Sequence, residues 1–301
     1  MNSKSKFFII CTSLICLSSL PAISSSNFIG NSTKHSGLYI SGQYKPSVSI
    51  FSKFSVKETN TNTVQLVALK KDVDSTSIDT SNNGTGASAT GISKATNFNC
   101  PYVADFQDNA FNFSGAIGYS FSEQLKIEIE GSYEEFDAKS PGKYILNDAF
   151  RYFALARAME GDIALSPSPK ADNVTKAYYT VMKNDGLSIL SIMINGCYNL
   201  PLNDLSISPY FCTGIGVDAI EFFDALHLKL AFQSKLGVTY QLSHNISLFT
   251  NGYYHQVIGD QFKNLKVQYV KELHDKPPIT SAVATLNVGY FGGEIGVRLT
   301  L

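Results

Sequence analysis

The sequence predicts an all-β chain: an antiparallel transmembrane β-barrel of eight strands, with ten to twelve as the alternative count. Three observations lead there. Several segments alternate apolar and polar residues with a period of two for about ten residues, the signature of a strand with one face in an apolar phase. The chain opens with an export leader. And only 16% of its 301 residues are charged although 44% are hydrophobic, against roughly 25% charged in ordinary soluble domains. A soluble β-sandwich or lipocalin-like barrel with its apolar face inward is the rival fold. The leader, the low charge, the strand length and the final strand weigh against it.

Residues 1–26 read as a cleaved signal peptide. Lys4 and Lys6 precede the apolar run Phe7 to Leu20, and Pro21, Ala22, Ser24, Ser25 and Ser26 form a small-residue cleavage region. The run falls short of the ~20 residues that a spanning helix needs. Residues 27–301 then hold no long apolar run, so any membrane crossing must be made by strands.

The strands follow in order. Leu38 to Tyr44 is a short first member. From Phe111 to Phe121 the odd positions read Phe, Phe, Gly, Ile, Tyr, Phe. After Ser122, Glu123 and Gln124 the pattern restarts with Leu125, Ile127, Ile129, Gly131 and Tyr133 on one face. Leu190 to Tyr198, Ile207 to Val217, Leu228 to Gln241, Ile246 to Tyr254 and Ile295 to Leu301 repeat the device. Gly292–Gly293 reads as a bulge that shifts the apolar phase. Short links fall near 122–124, 200–205 and 242–245. Long ones fall near 52–109, 138–186 and 259–281, with a shorter one at 220–227. Alternating short turns and long loops is the layout of an outer-membrane barrel, and places the long loops outside the cell. Tyr39, Tyr44, Tyr119, Tyr133, Tyr198, Tyr240, Tyr253, Tyr254 and Tyr290 read as aromatic girdles. The first long loop, rich in Ser, Thr, Asn and Gly, reads as too polar to order itself. Asn147 to Glu160, rich in Ala, Leu, Met and Arg, reads as a short helix within the second.

The polar phase carries the candidate lumen-facing charges: Lys126, Glu128, Glu130, Glu134, Lys229, Lys235, Glu294 and Arg298. They either line a charged pore or plug a narrow barrel with salt bridges, since eight strands leave an interior just wide enough for side chains. Cys197 and Cys212 lie in the polar phase of two strands joined by a turn, nearly opposite each other, so a disulfide and two free thiols are both open. Cys100 falls in the first long loop and is free for an intermolecular bond. His35, His227, His244, His255 and His274 have no ligand spacing, and no catalytic or phosphate-binding motif is present. The sequence therefore implies no enzyme, no cofactor and no metal site. With 24 basic against 25 acidic residues, nothing points to nucleic acid.

Six segments carry a resemblance: Leu38–Ser47 (LYISGQYKPS), Val181–Ser188 (VMKNDGLS), Ser191–Tyr198 (SIMINGCY), Ile220–His227 (IEFFDALH), Gly252–Gly259 (GYYHQVIG) and Tyr290–Arg298 (YFGGEIGVR). The chain resembles the major outer-membrane surface antigens of Ehrlichia and Anaplasma through essentially all of residues 27–301. The loops at 56–100 and 161–176 match poorly, and the chain ends in Leu301 where such barrels usually end in an aromatic residue. The resemblance implies an outer-membrane barrel with antigenic surface loops, porin-like in some members. Outer-membrane lipid is the expected partner, with host molecules or antibodies at the loops and a homo-oligomer also open. A closed barrel serving as an adhesin or host-interaction platform is the alternative to a pore.

Overall fold

In an alternating segment every second residue must leave water or face hydrocarbon, and a sheet closed on itself satisfies both faces at once. The computed structural model describes residues 36–59, 61–78, 90–157, 179–201, 207–270 and 281–301. The leader expected over 1–26 lies outside them. The barrel strands are β1 (Gly37–Tyr44, resumed at Ser47–Ser49), β2 (Phe113–Ser120), β3 (Leu125–Ala138), β4 (Leu187–Asn199), β5 (Ile207–Phe222), β6 (Ala225–Gln241), β7 (Ile246–Val257) and β8 (Gly289–Thr300). Each pairs antiparallel with its neighbour in this order, and β8 closes on β1. β1 is interrupted at Lys45–Pro46, where proline has no N–H to give, yet its register with β8 is unchanged on either side.

The strands are staggered. Followed by registered partners, Tyr39 leads through Gly118, Glu128, Asn195, Gly214, Gln233, His255 and Tyr290 back to β1 at Ser49, ten residues beyond the start. That shear tilts the strands and sets a narrow interior. The outward phase is apolar: Ile129, Ile192, Ile194, Ile215, Leu228, Leu230, Leu236 and Ile295 are all exposed. Within the strands, outward-phase carboxylates occur only at Glu135, Asp137 and Glu221, all toward the long-loop end. Tyr44, Tyr119, Tyr198 and Tyr240 stand on this exterior. Tyr39, Tyr253 and Tyr290 do not join them, because they occupy the polar phase and are buried inside the barrel.

Other expectations are corrected. The helix expected over 147–160 is a 3-10 turn, Ala149–Arg151, followed by a strand, Tyr152–Arg157; residues 158–160 lie outside the described residues. Phe153, Ala154, Leu155 and Ala156 are all buried, and the strand is held between Thr63–Leu69 and Tyr179–Lys183. Tertiary pairing overrides helix propensity here. The first long loop is not a structureless tether: its strands Ser52–Glu58, Thr63–Leu69 and Phe98–Pro101 join two sheets. One sheet is Gln261–Lys266, Ser281–Asn287 and Ser52–Glu58. The other runs Tyr269–Val270, Tyr179–Lys183, Tyr152–Arg157, Thr63–Leu69 and Phe98–Pro101. Residues 79–89, its most polar stretch, lie outside the described residues. The link at 220–227 is a two-residue turn, with Phe223 and Asp224 at φ 52° and 56°, the left-handed pair that a tight hairpin requires. Gly292–Gly293 is no bulge, since β8 runs in unbroken register against β7. The apolar phase does not shift there: Phe291 and Ile295 both point outward, and Tyr290 inward.

Both sheets lie toward the long-loop end. There Phe136, Leu187, Ile189, Ile220 and Phe222 from the barrel share one apolar cluster with Phe153, Met182, Phe262, Leu265 and Leu286.

Candidate functional site: the barrel lumen

Period two sends the polar phase inward, and eight strands bring its charges within reach of one another. Lys235 Nζ bonds Glu130 Oε2 and lies 3.0 Å from Glu294 Oε2. Lys45 Nζ lies 3.2 Å from Glu130 Oε1, 3.7 Å from Glu294 Oε1 and 4.0 Å from Glu134 Oε1. Amides complete the set: Asn195 Nδ2 and Gln233 Nε2 donate to Glu130 at 3.0 and 2.8 Å, and Asn251 Nδ2 to Glu294 at 2.8 Å. Ser47 Oγ and Asn112 Nδ2 donate to Glu134 at 2.7 and 2.6 Å. All these charged side chains are essentially sealed from solvent, at 3% exposure or less. Each isolated charge here would carry a desolvation penalty of several kcal/mol, about what good pairing offsets.

Toward the short-turn end, Tyr39 donates to Glu128 Oε2 at 3.0 Å, and Arg298 Nη2 lies 3.9 Å from the same oxygen. The guanidinium also sits over the rings of Tyr39 and Phe249, at 4.6 and 5.1 Å. Lys126 is half-buried at this end. Cys197 and Cys212 are registered partners on β4 and β5, and their sulfurs are joined. Glu128 lies beside them; sulfurs bonded to each other are not thiolate ligands. Toward the long-loop end, His255 Nε2 pairs with Asp218 Oδ2 at 2.8 Å, and its ring stacks on Tyr290 at 4.6 Å.

Of the charges singled out in the sequence, Glu128, Glu130, Glu134, Lys235, Glu294 and Arg298 thus meet inside the barrel. Lys229 shares their phase but sits near the mouth, donating to the carbonyls of Gly259 and Gln261 at 3.2 and 2.8 Å. Sequence reasoning missed Lys45, hidden by the break at Pro46. It also missed Asp218 and His255, which extending the period-two count from Cys212 and from Asn251 reaches.

A closed antiparallel barrel with an apolar exterior and a lumen of interlocked charges is a transmembrane β-barrel. Residues 31–301 match the surface antigen family, and the chain belongs to it. It is 28% identical over 262 residues to major surface antigen 4 of Anaplasma marginale, covering 86% of this chain and 82% of that protein. Among solved structures, the outer membrane protein OprG from Pseudomonas aeruginosa aligns over 89% of this chain and 98% of its own, with 11% identity and a TM-score of 0.46. Neisserial surface protein A aligns over 89% and 100%, with 12% identity and a TM-score of 0.38.

Proposed function

We propose that this protein is an outer-membrane surface antigen whose barrel is a closed support for the sheets at its long-loop end, rather than a solute pore. One observation carries the reading. Lys45 and Lys235 bridge Glu130, Glu134 and Glu294 across the lumen, and an apolar cluster lies toward the mouth. Water and ions passing along the axis would have to break these pairs. In this reading the partners are outer-membrane lipid around the belt, and host molecules or antibodies at the loops. No catalytic role is assigned, and the His255–Asp218 pair is fully buried.

The test is solute flux in liposomes holding refolded protein. The closed reading expects sugar entry no faster than in protein-free liposomes. Entry that rises with protein content and falls with sugar size would replace it with the porin-like reading.

A further inference from the structure

The lumen network holds one carboxyl group more than its two lysines neutralise. Glu130 and Glu294 each meet both ammonium groups. Lys235 Nζ bonds Glu130 Oε2 and lies 3.1 and 3.0 Å from the two oxygens of Glu294. Lys45 Nζ lies 3.2 Å from Glu130 Oε1 and 3.7 Å from Glu294 Oε1. Asn195, Gln233 and Asn251 donate to the same two carboxylates. Two cations and two anions thus form a closed, neutral set, and Glu134 is left over.

Glu134 is bonded differently. It is fully buried, and among the described residues no ammonium group comes within hydrogen-bond distance: Lys45 Nζ stands 4.0 Å from Oε1. Both of its donors, Ser47 Oγ at 2.7 Å and Asn112 Nδ2 at 2.6 Å, converge on Oε2. Oε1 has no hydrogen-bond partner among the described residues. An ionised carboxylate is an acceptor at both oxygens, whereas a neutral acid has one carbonyl oxygen that accepts and one hydroxyl that donates. The pattern at Glu134 is that of the acid, with Oε2 as carbonyl and Oε1 as hydroxyl.

Its surroundings supply no further positive charge. Lys45 and Ser47 face it from β1, Asn112 from the approach to β2, Glu130 from its own strand, Tyr253 from β7, and Tyr290 and Glu294 from β8. Its registered partner on β4 is the buried Ile189. Asp218 on β5 is held by His255 at 2.8 Å. Lys45 is already shared by Glu130 and Glu294, and those two carboxylates repel a third negative charge. A carboxylate sealed away without its own partner takes up a proton instead. The next residue, Glu135, is an outward-phase carboxylate at the long-loop end, which puts Glu134 level with the aqueous edge of the apolar belt.

We propose, on the closed-lumen reading above, that Glu134 is a proton-binding site: it is a neutral carboxylic acid in the closed barrel, and its ionisation loosens the plug. Ionisation releases the proton to solvent and leaves three carboxylates on two ammonium groups. The unfolded chain gives up this proton above pH about 4.3. The folded barrel keeps it, so stability falls as pH rises from there until the acid ionises in place. Two readouts on the refolded full chain in lipid vesicles test this. Infrared spectra separate the carbonyl stretch of a neutral acid from the bands of a carboxylate. The native barrel at neutral pH should show the neutral-acid band, and Glu134→Gln should diminish it. Urea unfolding is the second readout. Glutamine mimics the neutral acid, so the variant should fold and be no less stable than the native chain at pH about 8. As pH rises from about 5, the native unfolding constant should grow relative to the variant's by up to tenfold per pH unit. Glu130→Gln breaks the neutral set, and should raise the unfolding constant by on the order of a hundredfold or more at every pH. No neutral-acid band, a band undiminished in Glu134→Gln, parallel pH curves, failure of Glu134→Gln to fold, or equal tolerance of Glu130→Gln would each overturn it. Solute flux through the native barrel at neutral pH would instead count against the closed-lumen reading alone, since neither readout measures flux.

Discussion

Replacing Lys235 by methionine tests whether the lumen is as dry as its geometry implies. In the native barrel Lys235 and Lys45 share Glu130 and Glu294, and Lys45 also faces Glu134. Without Lys235, three buried carboxylates keep their neutral hydrogen-bond donors but share Lys45 as counter-charge, at 3.2, 3.7 and 4.0 Å. Removing one partner of a buried pair costs about 3–5 kcal/mol, because the other charge stays buried. Methionine keeps the length of the side chain, so lost packing adds little. Urea unfolding in lipid vesicles, followed by the gel mobility of unboiled protein, reads this directly. With a slope of about 2 kcal/mol/M, the midpoint should fall by about 1.5–2.5 M. Adding Glu294→Gln removes one of the surplus carboxylates and should recover about half of the loss. A loss below about 1 kcal/mol, the value of a solvated surface pair, with no recovery in the double variant, would refute the reasoning.

Four further outcomes are expected. Alkylation in denaturant without reductant should label Cys100, which is exposed, and spare Cys197 and Cys212; labelling of all three would exclude the disulfide. Reducing that bond should cost about 3 kcal/mol, since it closes a loop of 15 residues. Ile215→Lys, at an outward position 73% exposed, should destabilise the barrel in lipid by about 2–4 kcal/mol; a neutral effect there would mean the exterior meets water. Protease added to intact cells should cut at the exposed Lys71 and spare the turns at 122–124 and 242–245. The reverse pattern would mean that the barrel is inverted.

The barrel was legible because its strands are half in and half out of an apolar phase. Leu125 to Glu134 states strand, faces and lumen charges in ten residues, and the structure buries Glu128, Glu130 and Glu134. Legibility fails where alternation fails. Val67, Ala68 and Leu69 are consecutive and all buried, so Thr63–Leu69 carries no period-two signal. Its partners Phe98–Pro101 and Tyr152–Arg157 lie far along the chain. The run Phe153 to Ala156 has helix-forming composition, and only its position between two strands makes it extended. The link at 220–227 was read too long because its two-residue turn, Phe223–Asp224, has no glycine to mark its left-handed residues. The lumen partnership of Lys45 with Glu130 and Glu294 is likewise a product of closure, since β1 meets β8 only when the sheet is complete.

The central claim is that paired charges close the lumen. Conductance across a planar bilayer tests it most directly, on protein whose insertion is verified by cleavage at Lys71 from one side. A lumen closed by these pairs gives a baseline without discrete steps, and steps appear only when Lys45 and Lys235 are both replaced by alanine. Discrete steps from the native protein would contradict it.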